Sequence, residues 1–464
     1  MVFSSITFLL YFLPITLIAA FLIPSVKGKN IVLLVMSLLF YAWGEPVYVL
    51  LMLISIGGNY LLVRLMSELK DRGEKVKSCL AVIVIWNLAI LGFYKYANML
   101  IRFAGLISGV RLKPLELSLP IGISFYTFQA LSYVIDVYRG KAACQKKILP
   151  FALYITMFPQ LIAGPIVKYT DIEERLENRR VTLSGFGKGV ERFVFGLSKK
   201  VLLANTLGAV FTGISGMLPE TRTVLQVWLG AFSYAFQIYF DFSGYSDMAI
   251  GLGYMLGFRF PENFRYPYMA SSVTDFWRRW HISLSSWFRD YVYIPLGGNR
   301  VSAGKHIRNL LIVWALTGLW HGASLNFVIW GLYYALFLIL EKYVWGAFLE
   351  RHRAFGRFFT LLIVLFGWIL FYFTDFQAMS AFFLQMFGVG TAGFADRASW
   401  YLLKTSAVTL LIGAAVSTPF PKAVFSLLRN RARIPAMILL TGMLVLSLAY
   451  LVYQSYNPFL YFRF

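Results

Sequence analysis

Apolar stretches of close to membrane-spanning length recur along the whole chain, and short charged segments separate them. The clearest stretches are residues 3–23, 31–53, 80–96, 224–239, 361–373 and 434–453. A helix needs roughly 20 apolar residues to cross the hydrocarbon core of a bilayer. With Gly and Pro interrupting several stretches, the pattern predicts about eleven transmembrane helices. We therefore expect an all-α, polytopic membrane protein.

The pattern contains no fixed-period repeat, no low-complexity linker and no soluble domain, which predicts one membrane domain over residues 1–464. The first stretch has no basic residue before it and is followed by Lys27 and Lys29, so a retained helix is expected rather than a cleaved signal. The composition agrees, because a chain with 59% hydrophobic and 14% charged residues is too apolar for one soluble core.

The net charge of +22 is spread over the loops that flank the apolar stretches. The most basic loops lie at residues 70–77, 139–147, 351–357 and 422–433. By the positive-inside rule these loops face the cytoplasm, whereas the turn at 44–46, the segment 378–395 and both termini face outward. Topology and contact with anionic lipid account for the charge, so no nucleic-acid partner is expected.

The cysteines and histidines offer no pattern of metal ligands. Cys79 and Cys144 both lie beside basic loops that are predicted to be cytoplasmic, where a disulfide is not expected. The chain has only 4 His and 2 Cys, with no Cys pair and no HExxH motif. We therefore expect no metal site.

The segment FWRRWHISLSSWFRDYVYIP, residues 276–295, gathers Trp, Arg, Asp and His side chains within this apolar chain. At about 100° per residue, the spacing predicts one amphipathic helix at the cytoplasmic interface. The apolar arc holds Trp277, Trp280, Leu284, Trp287, Phe288 and Tyr291. The opposite arc holds Arg278, Arg279, Ser286, Arg289 and Asp290. An interfacial anchor explains the Trp and Arg residues, but it does not explain His281 at the edge of the apolar arc.

A second His follows Trp320 in LTGLWHGASLNF, residues 316–327. As one helix, the stretch 309–340 would be about 48 Å long, which exceeds the hydrocarbon core and predicts a break or bend near His321. Helical spacing places Thr317, His321 and Ser324 on one polar face. An ionisable side chain at this depth must face a cavity or a partner. A general base and a His that only fixes helix packing both remain open.

Other polar residues also lie within apolar stretches. Asp241 and Asp247 flank Gly244, and Gln129 and Asp136 lie in another stretch. Asp247 is expected to cap the next helix and Asp136 to pair with Arg139. The alternative is that these side chains orient a catalytic His or line a polar tunnel.

The run MFPQLIAGPIVKY, residues 157–169, has two Pro and a Gly in a short span and predicts a re-entrant segment.

From the residues alone, two classes of protein stay open. One is an enzyme that uses His as a general base inside the membrane, and the other is a proton-coupled transporter. The sequence shows no inverted repeats with paired broken helices, which a transporter usually has.

Four segments carry a family resemblance: YFDFSGYSDMAIGLG, NFRYPYMASSVTDFWRRWHISLSSWFRDYVYIPLGGNR at 263–300, TGLWHGASLNFVIWG, and YNPFLYFRF at the C-terminus. They resemble the membrane-bound O-acyltransferase (MBOAT) family, and the resemblance covers nearly the whole chain. Within the family, the chain is most similar to the branch that O-acetylates alginate, and YIPLGGNR favours that branch. The D-alanyl transferases that act on teichoic acid share the FWRRWH-like core and are the alternative.

The resemblance implies a ring of helices, with re-entrant and interfacial helices, around a central tunnel in the bacterial cytoplasmic membrane. His321 matches the catalytic His of the family and His281 its second motif position. The implied co-substrate is a cytoplasmic acyl thioester, acetyl-CoA in the first instance, and no bound cofactor is expected. The implied acceptor is an extracytoplasmic polysaccharide or an SGNH-hydrolase-like partner protein, and the sequence does not choose between them.

The implied donor tunnel gives the neighbouring residues candidate roles. The expected lining is Trp277, Arg278, Trp280, Arg289, Asp290, Thr317, Trp320, Ser324 and Asn326. Arg278, Arg279, Arg289 and Arg300 suit the phosphates of a CoA-like donor, because guanidinium groups bind phosphate oxygens in pairs. Thr317, Ser324, Asn326 and His281 are candidates for orienting the base or stabilising an oxyanion.

Overall fold

The computed structural model describes residues 1–110, 112–453 and 460, and these residues form helices and connecting loops with no β-strand. They divide into two compact units, residues 1–193 with 246–262 and residues 194–245 with 263–464. The expectation of a single domain over the whole chain stays a prediction.

The first nine α-helices along the chain are α1 (Leu13–Leu22), α2 (Val26–Ala42), α3 (Tyr48–Asp71), α4 (Lys77–Ser108), α5 (Ile123–Tyr138), α6 (Ile148–Thr156), α7 (Phe158–Leu161), α8 (Tyr169–Glu177) and α9 (Leu183–Ser198). The remaining α-helices are α10 (Asn205–Ser215), α11 (Val224–Met255), α12 (Val273–Arg279), α13 (Ile282–Phe288), α14 (Ala303–His321), α15 (Leu325–Leu340), α16 (Gly346–Arg351), α17 (Arg353–Tyr372), α18 (Phe376–Met386), α19 (Arg397–Val416), α20 (Phe420–Arg431) and α21 (Arg433–Tyr453). Helix α11 contributes residues 224–245 to unit two and the rest to unit one. Short π-helices lie at Phe8–Phe12, Lys199–Ala204, Arg289–Tyr293 and Glu341–Trp345, and 3₁₀ turns at Pro219–Thr221 and Pro267–Met269.

Seven helical segments in the described part of the chain are long and apolar enough to cross a membrane. They are Tyr48–Asp71, Lys77–Ser108, Leu183–Ser215, Leu325–Arg351, Arg353–Tyr372, Arg397–Val416 and Arg433–Tyr453, and the shorter Phe8–Leu22 is also apolar. The prediction of an all-α, multi-pass membrane protein is therefore confirmed. The number of about eleven crossings stays a prediction.

In unit one, residues 157–169 have the irregular backbone that the sequence predicts. Helix α6 ends at Thr156, α7 has only four residues, and the chain is not helical again until Tyr169. Pro159, Gln160 and Gly164 are buried. Non-helical backbone at membrane depth is tolerated where protein surrounds it, so this burial fits the expectation of a re-entrant segment.

The expectation that Asp247 caps a helix is wrong. Asp247 lies well inside α11, where every neighbouring backbone N–H bonds within the helix. Its carboxylate accepts a hydrogen bond from Arg192 Nε at 2.7 Å, and Arg192 also donates to both carboxylate oxygens of Glu262 at 3.0 and 2.6 Å. Asp136 in α5 is also buried, and its pairing with Arg139 stays a prediction.

Unit two contains a second buried ion pair. Lys200 Nζ lies 2.6 Å from Asp241 Oδ1, and both side chains are only 3% exposed. Lys200 also donates to Asn205 Oδ1 at 2.9 Å, and the backbone N–H of Leu460 donates to Asp241 Oδ2 at 2.8 Å. Asp241 therefore neutralises a buried lysine and binds backbone near the C-terminus. The expectation that it orients a histidine is not what these contacts show.

The expected break in the stretch 309–340 is present and lies at His321. Helix α14 ends there, Gly322 is extended, and α15 begins at Leu325. The two helices pack closely because Gly318 and Gly331 lie at their contact. A Cβ on Gly318 would overlap the carbonyl oxygen of Phe327, and one on Gly331 would overlap that of Trp314. The predicted shared face of Thr317, His321 and Ser324 is wrong for Ser324, because the helix stops before it.

Candidate active site

The segment 276–295 is not one continuous helix, so that prediction is wrong. Helix α12 ends at Arg279, α13 begins at Ile282, and His281 between them has a left-handed backbone with φ of 43°. The predicted apolar arc is nevertheless buried as a set: Trp277, Trp280, Leu284, Trp287, Phe288 and Tyr291. The helical periodicity therefore identified the buried side chains but not the kink that directs His281.

Helix α12 has a complete N-terminal cap although it is only seven residues long. The carboxylate of Glu341 accepts hydrogen bonds from the backbone N–H groups of Val273 at 2.6 Å and Thr274 at 3.1 Å. The hydroxyl of Ser272 accepts the next, from Asp275 N, at 3.1 Å. Three N–H groups without intrahelical partners are thus satisfied, which fixes the position of the helix that carries Trp277.

The indoles of this segment lie in the protein core and not at a lipid interface, which corrects the anchor interpretation for Trp277 and Trp280. Trp277 is 8% exposed and packs edge to face against Trp314, Trp330 and Tyr334, with ring centroids 4.7, 5.6 and 4.8 Å away. Trp280 is 4% exposed and lies 4.6 Å from Trp368. Each indole thus packs against a residue that contacts a histidine: Trp277 against Trp330 beside His321, and Trp280 against Phe264 beside His281.

His281 is buried, with 1% of its surface exposed. Its Nδ1 lies 3.2 Å from Asn263 Oδ1, and Phe242 stands perpendicular to the ring with centroids 4.6 Å apart. Nε2 has no hydrogen-bond partner among the described residues. Burial in these uncharged surroundings lowers the pKa of His281 to about 3, so its imidazole is neutral.

His321 ends α14 and is only partly buried. Its ring is perpendicular or nearly so to three aromatic rings, those of Trp320, Trp330 and Phe371, with centroids 4.9, 5.0 and 5.1 Å away. Because the helix ends at His321, no further helical turn follows the imidazole. The ring therefore lies at a helix end rather than in the middle of a helix. His321 thus combines a restrained ring with access from outside the core.

The two histidines meet at one residue although they are far apart in the sequence. The Trp320 ring lies 5.9 Å from His281 and 4.9 Å from His321, measured between centroids. The other two histidines, His306 and His352, have different surroundings. His306 bridges the hydroxyls of Tyr343 and Tyr293 at 2.8 and 2.9 Å, and His352 is exposed.

The polar residues around His321 have different surroundings. The Thr317 hydroxyl donates to Val313 O at 2.8 Å within its own helix. Ser324 is the N-cap residue of α15, but its side chain makes no capping hydrogen bond. Asn326 is buried and donates from Nδ2 to Phe371 O at 3.4 Å, whereas its Oδ1 has no hydrogen-bond partner among the described residues. Asn326 and His321 thus both contact Phe371.

The predicted phosphate-binding side chains are on the surface. Arg278, Arg289 and Arg300 are exposed, and Arg289 Nε donates to the neighbouring Asp290 at 2.8 Å. Arg279 is less available because its Nε binds Asp275 Oδ1 at 2.8 Å. Within the described residues, no group of three or more His, Cys, Asp or Glu side chains is placed to hold a metal ion.

Sequence reasoning missed several residues that form the walls of the site. Asn263 and Phe242 contact His281, while Trp330 and Phe371 contact His321. Asn263 lies inside a segment that carries the family resemblance, so the motif contained a signal for it. Phe242 and Trp330 also lie inside such segments. Phe371 lies outside all four segments and had no such signal, because a buried Phe is usual in any apolar helix.

The chain is similar to known proteins of one family. The model of MBOAT, the membrane-bound O-acyltransferase family, matches residues 142–385. The chain is 39% identical over 490 residues to "Probable alginate O-acetylase AlgI" of Pseudomonas putida, with 100% of both chains covered. It is 34% identical to "Peptidoglycan O-acetyltransferase" of Helicobacter pylori, over 74% of this chain and 70% of the relative. It is 28% identical to "Teichoic acid D-alanyltransferase" of Bacillus subtilis, over 48% of this chain and 61% of the relative. The chain therefore belongs to the membrane-bound O-acyltransferase family and is a multi-pass membrane acyltransferase.

Proposed function

We propose that the protein is a membrane O-acetyltransferase that uses a cytoplasmic thioester, acetyl-CoA, to acetylate hydroxyl groups of an extracytoplasmic polysaccharide such as alginate. Transfer occurs directly or through an SGNH-hydrolase-like partner, and the membrane is the cytoplasmic membrane of a bacterium. The names of the relatives from Pseudomonas putida and Helicobacter pylori support acetyl transfer to a polymer.

The observation that carries the proposal is the position of His321. Its imidazole lies at a helix end, restrained by Trp320, Trp330 and Phe371 yet partly accessible. Histidine is the side chain that most often takes and returns a proton at physiological pH. A general base of this kind contributes typically 10²–10⁴-fold to the rate.

The reaction needs little more from the protein, because a thioester is already activated. His321 removes the proton from the acceptor hydroxyl while the hydroxyl oxygen attacks the thioester carbonyl carbon. The new C–O bond forms, the C–S bond breaks, and the leaving thiolate receives the proton that His321 took. The partly open helix end supplies the access that this exchange requires.

The test is release of free CoA from acetyl-CoA by the purified protein in sealed vesicles of known orientation. We expect His321→Ala to lose the activity, whereas His352→Ala, which changes an exposed histidine, retains it. Both variants should insert and unfold like the unchanged protein. Activity close to normal in His321→Ala contradicts the assignment of the base.

The alternative is transfer of D-alanyl groups to teichoic acid from a carrier-protein thioester. It ranks second because the teichoic acid D-alanyltransferase of Bacillus subtilis is less similar and covers about half of this chain. If the folded protein releases no CoA but accepts an acylated carrier protein, this alternative replaces the first. A proton-coupled transporter would leave the thioester intact in both assays.

A further inference from the structure

The side-chain oxygen of Asn263 lies at the centre of a buried hydrogen-bond cluster. It accepts hydrogen bonds from the backbone N–H of Ser283 at 3.2 Å and from the Ser283 hydroxyl at 2.8 Å. His281 Nδ1 lies 3.2 Å from the same oxygen. Asn263, His281 and Ser283 are 0%, 1% and 7% exposed, so water does not compete for these contacts.

This cluster determines which nitrogen of His281 carries the proton. A backbone N–H can only donate, so the Asn263 atom that faces Ser283 N must be the oxygen and not the amide nitrogen. The same oxygen faces His281 Nδ1, and an oxygen without a hydrogen can only accept. The Nδ1 atom must therefore be the donor, and in the neutral ring Nε2 carries a lone pair.

The backbone holds the ring in the same place. The carbonyl oxygen of Asn263 accepts from Ile282 N at 2.9 Å, directly after the left-handed His281. Asn263 thus binds both the side chain of His281 and the backbone that follows it. A left-handed backbone at a non-glycine residue persists only where surrounding contacts impose it.

The imidazole ring of His281 has aromatic neighbours. Phe242, Phe264 and Trp320 surround the ring of His281, with centroids 4.6, 6.5 and 5.9 Å away. None of these groups, nor Asn263, is charged, and burial is the cause that lowers the pKa of the ring. A buried acceptor with no hydrogen-bond partner among the described residues is costly, and substrate sites are where such groups find partners.

We propose that Asn263 is a positioning residue, which holds His281 in the tautomer protonated on Nδ1 so that Nε2 accepts a hydrogen bond from a substrate N–H or O–H group. The proposal rests on the proposed function for the identity of the substrates. The pantetheine arm of a CoA thioester supplies amide N–H groups, and a polysaccharide supplies hydroxyls. In this role His281 does not stabilise an oxyanion, because its Nε2 has no hydrogen to donate.

The tautomer is measured directly by solid-state ¹⁵N NMR of the full-length protein, labelled at histidine, in bilayers. The His281 signals are identified as those absent from His281→Gln. We expect a protonated Nδ1 and an unprotonated Nε2 in the unchanged protein. We expect the same pattern in Ser283→Ala, because that variant removes a hydrogen bond to Asn263 and leaves the His281 contact. A proton on Nε2 in the unchanged protein overturns the proposal.

Two variants of Asn263 separate positioning from folding. Asn263→Leu removes the acceptor, so the Nε2-protonated tautomer should appear and CoA release should fall by roughly 10²-fold or more, as expected when a site histidine adopts the wrong tautomer. Asn263→Asp keeps an acceptor of the same shape and should retain the Nδ1–H tautomer. An unchanged tautomer in a folded Asn263→Leu protein contradicts the positioning role.

The aspartate variant also has a pH signature. A carboxylate beside Nδ1–H raises the pKa of His281, because it favours the charged imidazolium. The neutral ring, and with it the lone pair on Nε2, is then lost as the pH falls through a higher value. We expect the acid limb of CoA release to move to higher pH in Asn263→Asp, which a purely structural role would not produce. An acid limb that stays in place contradicts the acceptor role of Nε2.

The two substrates are distinguished by their effect on the Nε2 signal. The probes are a non-reactive thioether analogue of acetyl-CoA and a short oligomannuronate, each added to saturation. A shift with the first assigns the partner to the thioester arm, and a shift with the second assigns it to the acceptor hydroxyl. No shift with either probe rejects the substrate contact. Because the tautomer is read without turnover, its outcome is separate from that of the His321→Ala assay.

Discussion

At the scale of single residues, the two histidines differ in what they can do. His281 is fully buried, uncharged and bound through Nδ1, whereas His321 is partly exposed at a helix end. A buried neutral imidazole suits a fixed hydrogen-bond role, and an accessible one suits proton exchange with a substrate. The surroundings of each ring therefore give the two histidines different roles, although both are the same type of residue.

The exposed arginines of the 276–295 segment lead to a prediction for donor binding. We expect Arg278→Ala combined with Arg289→Ala to raise the KM for acetyl-CoA more than it lowers kcat, because phosphate contacts bind the donor equally before and during the reaction. Steady-state CoA release measures both constants. Arg353→Ala, at another exposed arginine, is the control. An unchanged KM for the donor would contradict this role and would favour contacts of Arg278 and Arg289 with lipid headgroups instead.

The buried pair of Lys200 and Asp241 leads to a prediction for stability. Asp241→Asn leaves the Lys200 ammonium buried without its counter-charge, at 3% exposure. We expect this variant to lower the free energy of unfolding by about 3–5 kcal/mol. The double variant Lys200→Met with Asp241→Leu should lose less, because no charge stays buried. Unfolding in mixed micelles measures both, and equal losses would contradict the ion-pair explanation.

At the scale of elements, close approach of backbones decides the geometry of the site. Helices α14 and α15 pack closely at Gly318 and Gly331. The short connection between the helices places His321 at the end of α14 rather than inside a continuous helix. Helix α12 is fixed in turn by Glu341, which caps it from a residue far along the chain. The elements that carry the two histidines are thus positioned by small residues and a cap rather than by helix propensity.

The contact of α14 with α15 leads to a third prediction. Gly331→Ala places a Cβ against the carbonyl oxygen of Trp314, so the helices must separate. We expect a loss of about 1–3 kcal/mol in the free energy of unfolding and a lower rate of CoA release, because Trp330 beside it contacts His321. Gly304→Ala in α14 meets no atom within 4 Å and should change stability by less than about 1 kcal/mol. Equal behaviour of the two variants would contradict the close-packing explanation.

At the scale of the whole molecule, the distribution of charge predicts the orientation in the membrane. The basic residues Arg351, Arg353 and Arg357 lie at the N-terminal end of the candidate span Arg353–Tyr372, and the segment 378–395 with little basic charge follows the span. The positive-inside rule places the first in the cytoplasm and the second outside. The donor and the acceptor of the proposed reaction would then approach from opposite faces of the membrane.

Cysteine labelling in intact cells tests this orientation. In a background with Cys79→Ser and Cys144→Ser, we expect a membrane-impermeant maleimide to label Ala392→Cys from outside. Ala354→Cys should react only after the membrane is opened. Both alanines are exposed, so accessibility within the protein does not limit either reaction. The reverse pattern would contradict the orientation, while labelling of both from outside would contradict the span between them.

The sequence by itself determined the class of protein, the buried arc of the 276–295 segment and the break at His321. Each of these follows from local quantities: the length of an apolar stretch, the angle per residue, and a helix too long for the bilayer. The residues alone singled out His281 and His321, and the resemblance to a family added the roles expected of these two histidines. The partners of Asp241 and Asp247 were beyond local reasoning, because the lysine and arginine concerned lie on other helices.

Only the tertiary structure decided how the site is built. The left-handed backbone of His281 and its contact with Asn263 depend on hydrogen bonds between loops and helices that no periodicity encodes. The meeting of both histidines at Trp320 depends on the contact of the His281 turn with the C-terminal end of α14. The local pattern predicts which face of a helix is buried, because apolar residues recur with the period of the helix. It does not predict which residues of other elements pack against that face. Those contacts are long-range and form only when the chain folds.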